Sequence, residues 1–172
     1  MNIRDDFPIL QRISRGKPLV YLDNGATTQK PQQVIDAIES YYRKHNANVH
    51  RAAHELAEEA TALLEDCRTK AQAFIGAVHR ESIIFTRGTT EGINLVAQVI
   101  EGNIQAGQDI VISQLEHHSN IVPWQLLAQR TGANIKAIDI DENGDLDLAS
   151  ATSLITDNIA LLAITHISNG LG

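Results

Sequence analysis

The sequence predicts an α/β fold, a mostly parallel sheet with helices on both faces. Three observations carry that prediction. From Ile83 onward, short apolar runs rich in Ile alternate with stretches of helical periodicity. The runs are short and mostly apolar, as strands covered on both faces are. A chain of 172 residues, 43% hydrophobic and 20% charged, has the material for a packed core and no Pro/Ser-rich linker to divide it.

The elements follow in order. Met1 to Pro18, interrupted by Pro8, Gly16 and Pro18, reads as an arm with one short helix. Leu19-Val20-Tyr21-Leu22 is an apolar run that ends in the turn signal Asp23-Asn24-Gly25. Pro31 opens a helix through about His45, with Val34, Ile35, Ile38, Tyr41 and Tyr42 on one face. A polar loop, Asn46 to Arg51, precedes a long helix from about Ala53 to Ile75. Its early acids and late bases suit the helix dipole. Beyond Gly76, strands are expected at Ile83–Thr86, Ile110–Ile112, Ile135–Ile140 and Ile159–Ile164. Helices are expected at Thr89–Ile100, Ile121–Arg130 and Leu146–Leu154. After the last strand the alternation calls for a further loop and helix, so the chain reads as interrupted.

Composition excludes several classes. Lys and Arg number 14 against 21 Asp and Glu, a net charge of −7, which disfavours nucleic acid and anionic membranes as partners. The first ten residues lack an apolar signal core, and no run is long enough to span a bilayer, so a cytoplasmic protein is expected. The single cysteine, Cys67, allows no internal disulfide and lies in a helical stretch next to Asp66. The Asp139–Gly144 stretch begins like a calcium loop but has Ser150 where the bidentate Glu belongs, so it reads as a turn between strand and helix. His50 and His54 have metal-ligand spacing but no third ligand, and no metal site is expected. Neither the P-loop nor the Rossmann glycine pattern occurs.

Four stretches carry chemistry. In Phe85 to Asn94 a strand ends, Gly88 turns the chain, and Thr89 and Thr90 open a helix. Free N–H groups, a positive dipole end and two hydroxyls make a phosphate cup, although threonine there also serves as a plain cap. Gln114 to Asn120 follows the next strand to the same sheet edge, where His117 or His118 can stack on a flat ring, move protons, or simply cap the next helix. Asn169, just past the last strand, offers an amide, but Asn-Gly is also a common turn. Asn46 to Arg51 is either a solvated loop or the lip of a ligand site. Ligands of open α/β sheets bind at the carboxyl ends of the strands. Loops converging there around a phosphate cup suggest a phosphorylated aromatic cofactor.

Five motifs in sequence, from Tyr21–Thr28 through Asn48–Arg51, Arg87–Asn94 and Glu116–Trp124 to Thr165–Asn169, resemble the Suf-type cysteine desulfurases, within the class-V aminotransferase group of pyridoxal-phosphate enzymes. The resemblance runs from Asp6 to the last residue. It implies part of the large domain of a fold-type I enzyme, with residues 1–20 as an arm and 21–172 as the first half of the pyridoxal-phosphate-binding domain. It implies that Thr89 and Thr90 hold the cofactor phosphate. His117 would stack on the pyridine ring and assist proton transfer, leaving His118 to support the loop or cap the helix near Ser119. Asn169 would contact the ring hydroxyl or the substrate carboxylate. Gly25 and Ala26, near His50 and Arg51, would line the substrate end. Gly25 and Gly170 stand where the family more often has Ala and Val.

The implied activity is removal of sulfur from L-cysteine to give L-alanine and an enzyme persulfide that feeds iron–sulfur assembly. A homodimer and a Suf sulfur-acceptor protein are the implied partners. The same motifs fit selenocysteine lyase or cysteine sulfinate desulfinase, and a non-catalytic remnant or binding fragment is the reading of another class. The resemblance places the Schiff-base lysine, the acidic partner of the pyridine nitrogen and the persulfide cysteine further along such chains. Lys17, Lys30, Lys44, Lys70 and Lys136 match no Schiff-base motif, so this stretch is expected to be inactive alone.

Overall fold

A computed structural model describes residues 3–51 and 53–171. Met1, Asn2, Ala52 and Gly172, and with them the outer ends of the expected arm and large-domain segment, lie outside the described residues. Chain contacts divide the molecule into two compact units, residues 1–84 and 85–172.

The N-terminal unit starts with two 3₁₀ turns, Ile3–Asp6 and Pro8–Gln11. A two-residue hairpin follows, β1 (Ile13–Ser14) against β2 (Lys17–Pro18), which the sequence reading missed. Its turn residues Arg15 and Gly16 both have positive φ, 53° and 76°, the geometry that matches the twist of a tight hairpin. The Arg4 guanidinium anchors this segment by donating to the carbonyls of Leu10 and Leu19, each at 2.6 Å.

Helix α1 (Gln32–Ser40) is entered through extended Pro31, as the proline predicts. The expected run to His45 continues as a π-helical turn over Tyr41–His45. The Tyr41 N–H is shared between the carbonyls of Ala37 and Ile38, where the winding changes. Helix α2 (Glu55–Ile75) is capped by His54, whose ring accepts from the Ala57 N–H at 3.3 Å. It stops at Gly76, φ 69°, with the Ala77 N–H returning to the Gln72 carbonyl at 3.0 Å.

The expected strand at Ile83–Thr86 is corrected, since these residues belong to neither sheet. The Ile83 carbonyl is taken by the Arg68 guanidinium, and Thr86 Oγ1 donates to the Gly88 carbonyl at 3.2 Å. Apolar β-prone composition makes a strand only where a neighbouring strand supplies the ladder.

The C-terminal unit realises the βα alternation. It runs α3 (Thr89–Ile100), β3 (Asp109–Ser113), α4 (Val122–Thr131), β4 (Asn134–Ile138), α5 (Leu148–Leu154) and β5 (Ile159–Ala163). The three strands form a parallel sheet in the order β4-β3-β5. Central β3 is buried along its whole length, which is why its sequence is a continuous apolar run. Register sets Ile110 beside Ile135 and Leu161, and Ile112 beside Ala137 and Ala163. That face packs on Ala97 of α3 and on Trp124, Leu127 and Ala128 of α4. Val111 and Ile138, on the opposite face, are buried as well. Each fully buried large aliphatic side chain contributes about 1.5–3 kcal/mol.

The amino end of β3 is pinned by Asp109, 2% exposed. Its carboxylate accepts from Lys136 Nζ at 2.9 Å and from the amides of Asn134 and Asn158, each at 3.3 Å. The Asp139–Gly144 stretch is a tight turn, as expected from its sequence. Asp141 accepts from the N–H groups of Asn143 and Asp145 at 2.8 and 3.0 Å. Among the described residues, no helix is long and apolar enough to cross a membrane.

Candidate functional site

Three loops of the C-terminal unit carry expected site residues: Arg87–Thr90 leads into α3, while Gln114–Asn120 and Ile164–Leu171 leave the carboxyl ends of the adjacent parallel strands β3 and β5. Each is placed by a local device that the sequence encodes.

Gly88 turns the chain into α3 with φ 156° and ψ −179°, a conformation that only glycine holds without strain. As N-cap it has no side chain, so the first N–H groups of α3 lack a side-chain acceptor and point out of the helix start. Arg87, Gly88, Thr89, Thr90, Glu91 and Asn94 line an open depression of about 410 Å³ there. Thr89 and Thr90 are both exposed. Glu91 folds back to accept the Arg87 N–H, and the Asn94 amide donates to the Thr90 carbonyl at 2.8 Å. The arrangement offers backbone donors, two hydroxyls and a positive dipole end to an anion.

His117 lies on the loop after β3, and α3 packs beside the 3₁₀ turn His118–Asn120 that follows. Its Nδ1 accepts from the Ser119 N–H at 3.2 Å and lies 2.9 Å from Ser119 Oγ. With Nδ1 accepting from a backbone donor, the neutral ring carries its proton on Nε2. His117 is exposed, and its Nε2 makes no hydrogen bond to another described residue. The turn is therefore capped by His117, so of the two roles expected for His118, supporting the loop or capping, the capping one falls to its neighbour. A histidine Nδ1 reaches the N–H two residues ahead when it sits at the cap position, and His118 is already inside the turn. His118 stands edge-on to His117, with ring centroids 6.1 Å apart.

Asn169 lies in the turn after β5 and is exposed. Its amide makes no hydrogen bond to another described residue, while Ser168 Oγ accepts from the N–H groups of Gly170 and Leu171 at 3.1 and 3.2 Å. That serine turn fixes the backbone and leaves the Asn169 amide free to bind something else.

Sequence reasoning missed the network beneath these loops. Glu116, 9% exposed, accepts from Ser113 Oγ and the Thr165 N–H on Oε1, at 2.6 and 2.8 Å. Its Oε2 accepts from Asn120 Nδ2 at 2.7 Å, and Asn120 Oδ1 accepts from Trp124 Nε1 at 2.8 Å. Little in the sequence signals it: Glu116 and His117 precede the 3₁₀ turn, so the four-residue spacing of Glu116, Asn120 and Trp124 does not lie on one helix.

The remaining expected site residues belong to the N-terminal unit. Gly25 and Ala26 are exposed in a turn in which the Ala26 and Thr27 N–H groups both donate to the Asp23 carbonyl at 3.2 Å. Tyr21 closes the turn, its hydroxyl donating to Asp23 and Thr27 carbonyls. His50 holds φ 60°, its N–H donates to Thr61 Oγ1 at 3.0 Å, and its Nε2 lies 3.3 Å from Glu65. Arg51 is exposed beside it. His54, the other half of the metal-like pair, is spent on capping α2.

Known proteins resemble the chain along nearly its whole length. A cysteine desulfurase of Salmonella gallinarum is 52% identical over 171 residues, which is 99% of this chain and 42% of that protein. A probable cysteine desulfurase of Mycobacterium leprae is also 52% identical over 171 residues, but these are only 28% of its length. The chain thus spans well under half of the curated relatives it matches. The apo structure of a cysteine desulfurase from Thermococcus onnurineus superposes with a TM-score of 0.90 at 39% identity, over 99% of this chain and 41% of that one. The model of the class-V aminotransferases matches residues 20–172. The chain belongs to the class-V aminotransferase family.

Proposed function

We propose that this chain is the N-terminal part of a pyridoxal-phosphate-dependent cysteine desulfurase of the Suf type. It would release sulfur from L-cysteine as an enzyme persulfide, leave L-alanine, and supply iron–sulfur assembly through a sulfur-acceptor protein. Residues 1–20 serve as an arm and residues 21–172 as the first part of the cofactor-binding large domain, in an enzyme that works as a homodimer in the cytoplasm.

The observation that carries the reading is the uncapped start of α3 at Gly88, with Thr89 and Thr90 beside it. It fits a phosphate: the donors are backbone N–H groups and hydroxyls, and a Cβ on residue 88 would force the backbone out of the required conformation. Pyridoxal phosphate, when bound, supplies an electron sink for bond cleavage at an amino acid. The chain's own residues do the rest. Thr89, Thr90 and the α3 N–H groups hold the phosphate. His117 lays its flat face on the ring, and its Nε2 takes up and returns a proton while Ser119 holds Nδ1. Asn169 meets the ring hydroxyl or the substrate carboxylate with its free amide. Gly25, Ala26, His50 and Arg51 are assigned to the amino-acid substrate, the first two for their small size and the others for their affinity for a carboxylate.

The test uses the whole protein. Thr90→Val keeps the shape and removes one donor, and should weaken pyridoxal-phosphate binding by about 10- to 100-fold, the equivalent of roughly 1–3 kcal/mol for a charge-assisted bond. His117→Ala should shift the absorption of bound cofactor and lower turnover by roughly 100-fold, whereas His118→Ala should not. Unchanged affinity in the Thr90 variant defeats the phosphate assignment. Assays on L-cysteine, L-selenocysteine and cysteine sulfinate in parallel decide the substrate, and a preference for either of the last two overturns cysteine.

A further inference from the structure

The proposed function leaves one buried carboxylate at the strand ends without a role. Glu116 sits between β3 and His117, and its two oxygens reach two different loops. The direction of each bond is forced. Trp124 Nε1 is a donor only, and its ring is 3% exposed, so it must find an acceptor, Asn120 Oδ1. The Asn120 amide therefore turns its NH₂ toward Glu116 Oε2. On the other side the Thr165 N–H, also a donor only, points at Oε1. Both oxygens of residue 116 must accept, which a carboxylate does and a carboxamide cannot.

We propose that Glu116 is a positioning residue that locks the His117 loop and the Thr165–Asn169 segment in register through these two acceptor oxygens. The inference rests on the reading that His117 and Asn169 address the cofactor. It adds how two loops on different strands are held to one geometry. The anchor at each end is independent of the site: Trp124 belongs to the core between α4 and the sheet, and Thr165 lies two residues past the end of β5. Glu116 is the group at which they meet, one residue from the ring that must be aimed.

Donor polarity makes the claim testable. Glu116→Gln sets an NH₂ against either the Asn120 amino group or the Thr165 N–H, and turning the Asn120 amide over only moves the conflict to the Trp124 indole. In the double variant Glu116→Gln with Asn120→Asp, the glutamine's NH₂ donates to the aspartate. The other aspartate oxygen still accepts from Trp124, and the glutamine oxygen accepts from Ser113 and Thr165. In the whole protein the single variant should shift the bound-cofactor absorption, weaken pyridoxal-phosphate binding about tenfold, and speed hydrogen exchange at the Trp124 indole or the Thr165 amide. The double variant should return all three toward the parent. A single variant indistinguishable from the parent overturns the proposal, as does a double variant no better than the single. If the single variant fails to fold, restored folding and cofactor absorption in the double variant support the lock, and failure of both overturns it. A parent protein that binds no pyridoxal phosphate defeats the functional reading instead, and the two exchange rates still decide the role of Glu116.

Discussion

Among the described residues, positions 85–171 bury Ile110, Val111, Ile112, Trp124, Leu127 and Ile138, whereas positions 3–84 bury only Ala57, Ala60 and Ile83. Both units carry amphipathic helices. In α1, however, Val34, Ile35 and Ile38 remain 39–54% exposed, and at the end of α2 Phe74 is 91% exposed. In α3 and α4 the same kind of apolar face closes on a sheet. Periodicity tells that a helix has a face to cover, and says nothing of what covers it. The candidate phosphate and ring contacts lie on the unit with the packed core, where buried bonds such as those of Glu116 hold loops in place. The N-terminal unit holds its loops with exposed or half-exposed pairs, His50 with Glu65 and His45 with Glu59, which constrain geometry weakly.

The widest contrast should appear in hydrogen exchange. Amides of β3, buried on both faces, should open only with the C-terminal unit as a whole, while α1 amides open locally. A protection ratio of roughly a thousandfold is expected from the stability of an ordinary domain. Similar protection in the two elements would break the comparison at its root.

Side-chain truncation gives the next largest effect. Leu127 is fully buried between α4 and the sheet, so Leu127→Ala should cost about 2–5 kcal/mol. Ile38→Ala on α1, where the side chain is 54% exposed, should cost under about 1 kcal/mol. Paired denaturant titrations read both. Equal losses would mean that α1 is covered in solution.

The parts of this structure legible in sequence are those with local causes. Helix α3 begins and ends where periodicity and Gly88 place it, and β3 and β5 were visible as apolar runs too short for helices. The Thr89-Thr90 helix start was legible for the same reason. Long-range causes were not. Whether Ile83–Thr86 joins a sheet depends on a partner strand, and which histidine caps the turn depends on one residue of phase. The bond from Glu116 to Thr165 joins residues 49 apart. The β1–β2 hairpin was missed because its turn, Arg15-Gly16, lacks the usual Asn-Gly or Asp-Gly signature.

Gly88→Ala sharpens the comparison at the site itself. No atom lies within 4 Å of the position its Cβ would take, so only the backbone conformation resists the change. The cost should be roughly 1–3 kcal/mol. Gly102→Ala, where the space is equally open and no positive φ is required, should change the melting midpoint little. If the two substitutions prove equal, the turn into α3 tolerates a side chain and the cup is less constrained than its geometry implies.

The smallest effect expected is in acid. Hydrogen bonding from Lys136, and then from Asn134 and Asn158, outweighs desolvation and holds the Asp109 carboxyl below its ordinary range. Asp141 is held low in the same way, first by the Asp145 N–H and then by Asn143. A carboxyl whose folded pKa is depressed contributes stability that is fully present above its unfolded value, near 3.9, and lost as the pH falls through the folded value. Both groups lie in the C-terminal unit, so its stability should be level from neutral pH to about 5 and decline below about 4. Asp109→Asn removes one of the two titrations and should make that decline shallower, while lowering stability at neutral pH, where the carboxylate no longer meets Lys136. Melting midpoints of parent and variant between about pH 2 and 7 give the measurement. Parallel acid limbs would show that Asp109 is not held low, and that the buried end of β3 depends on packing more than on its charge.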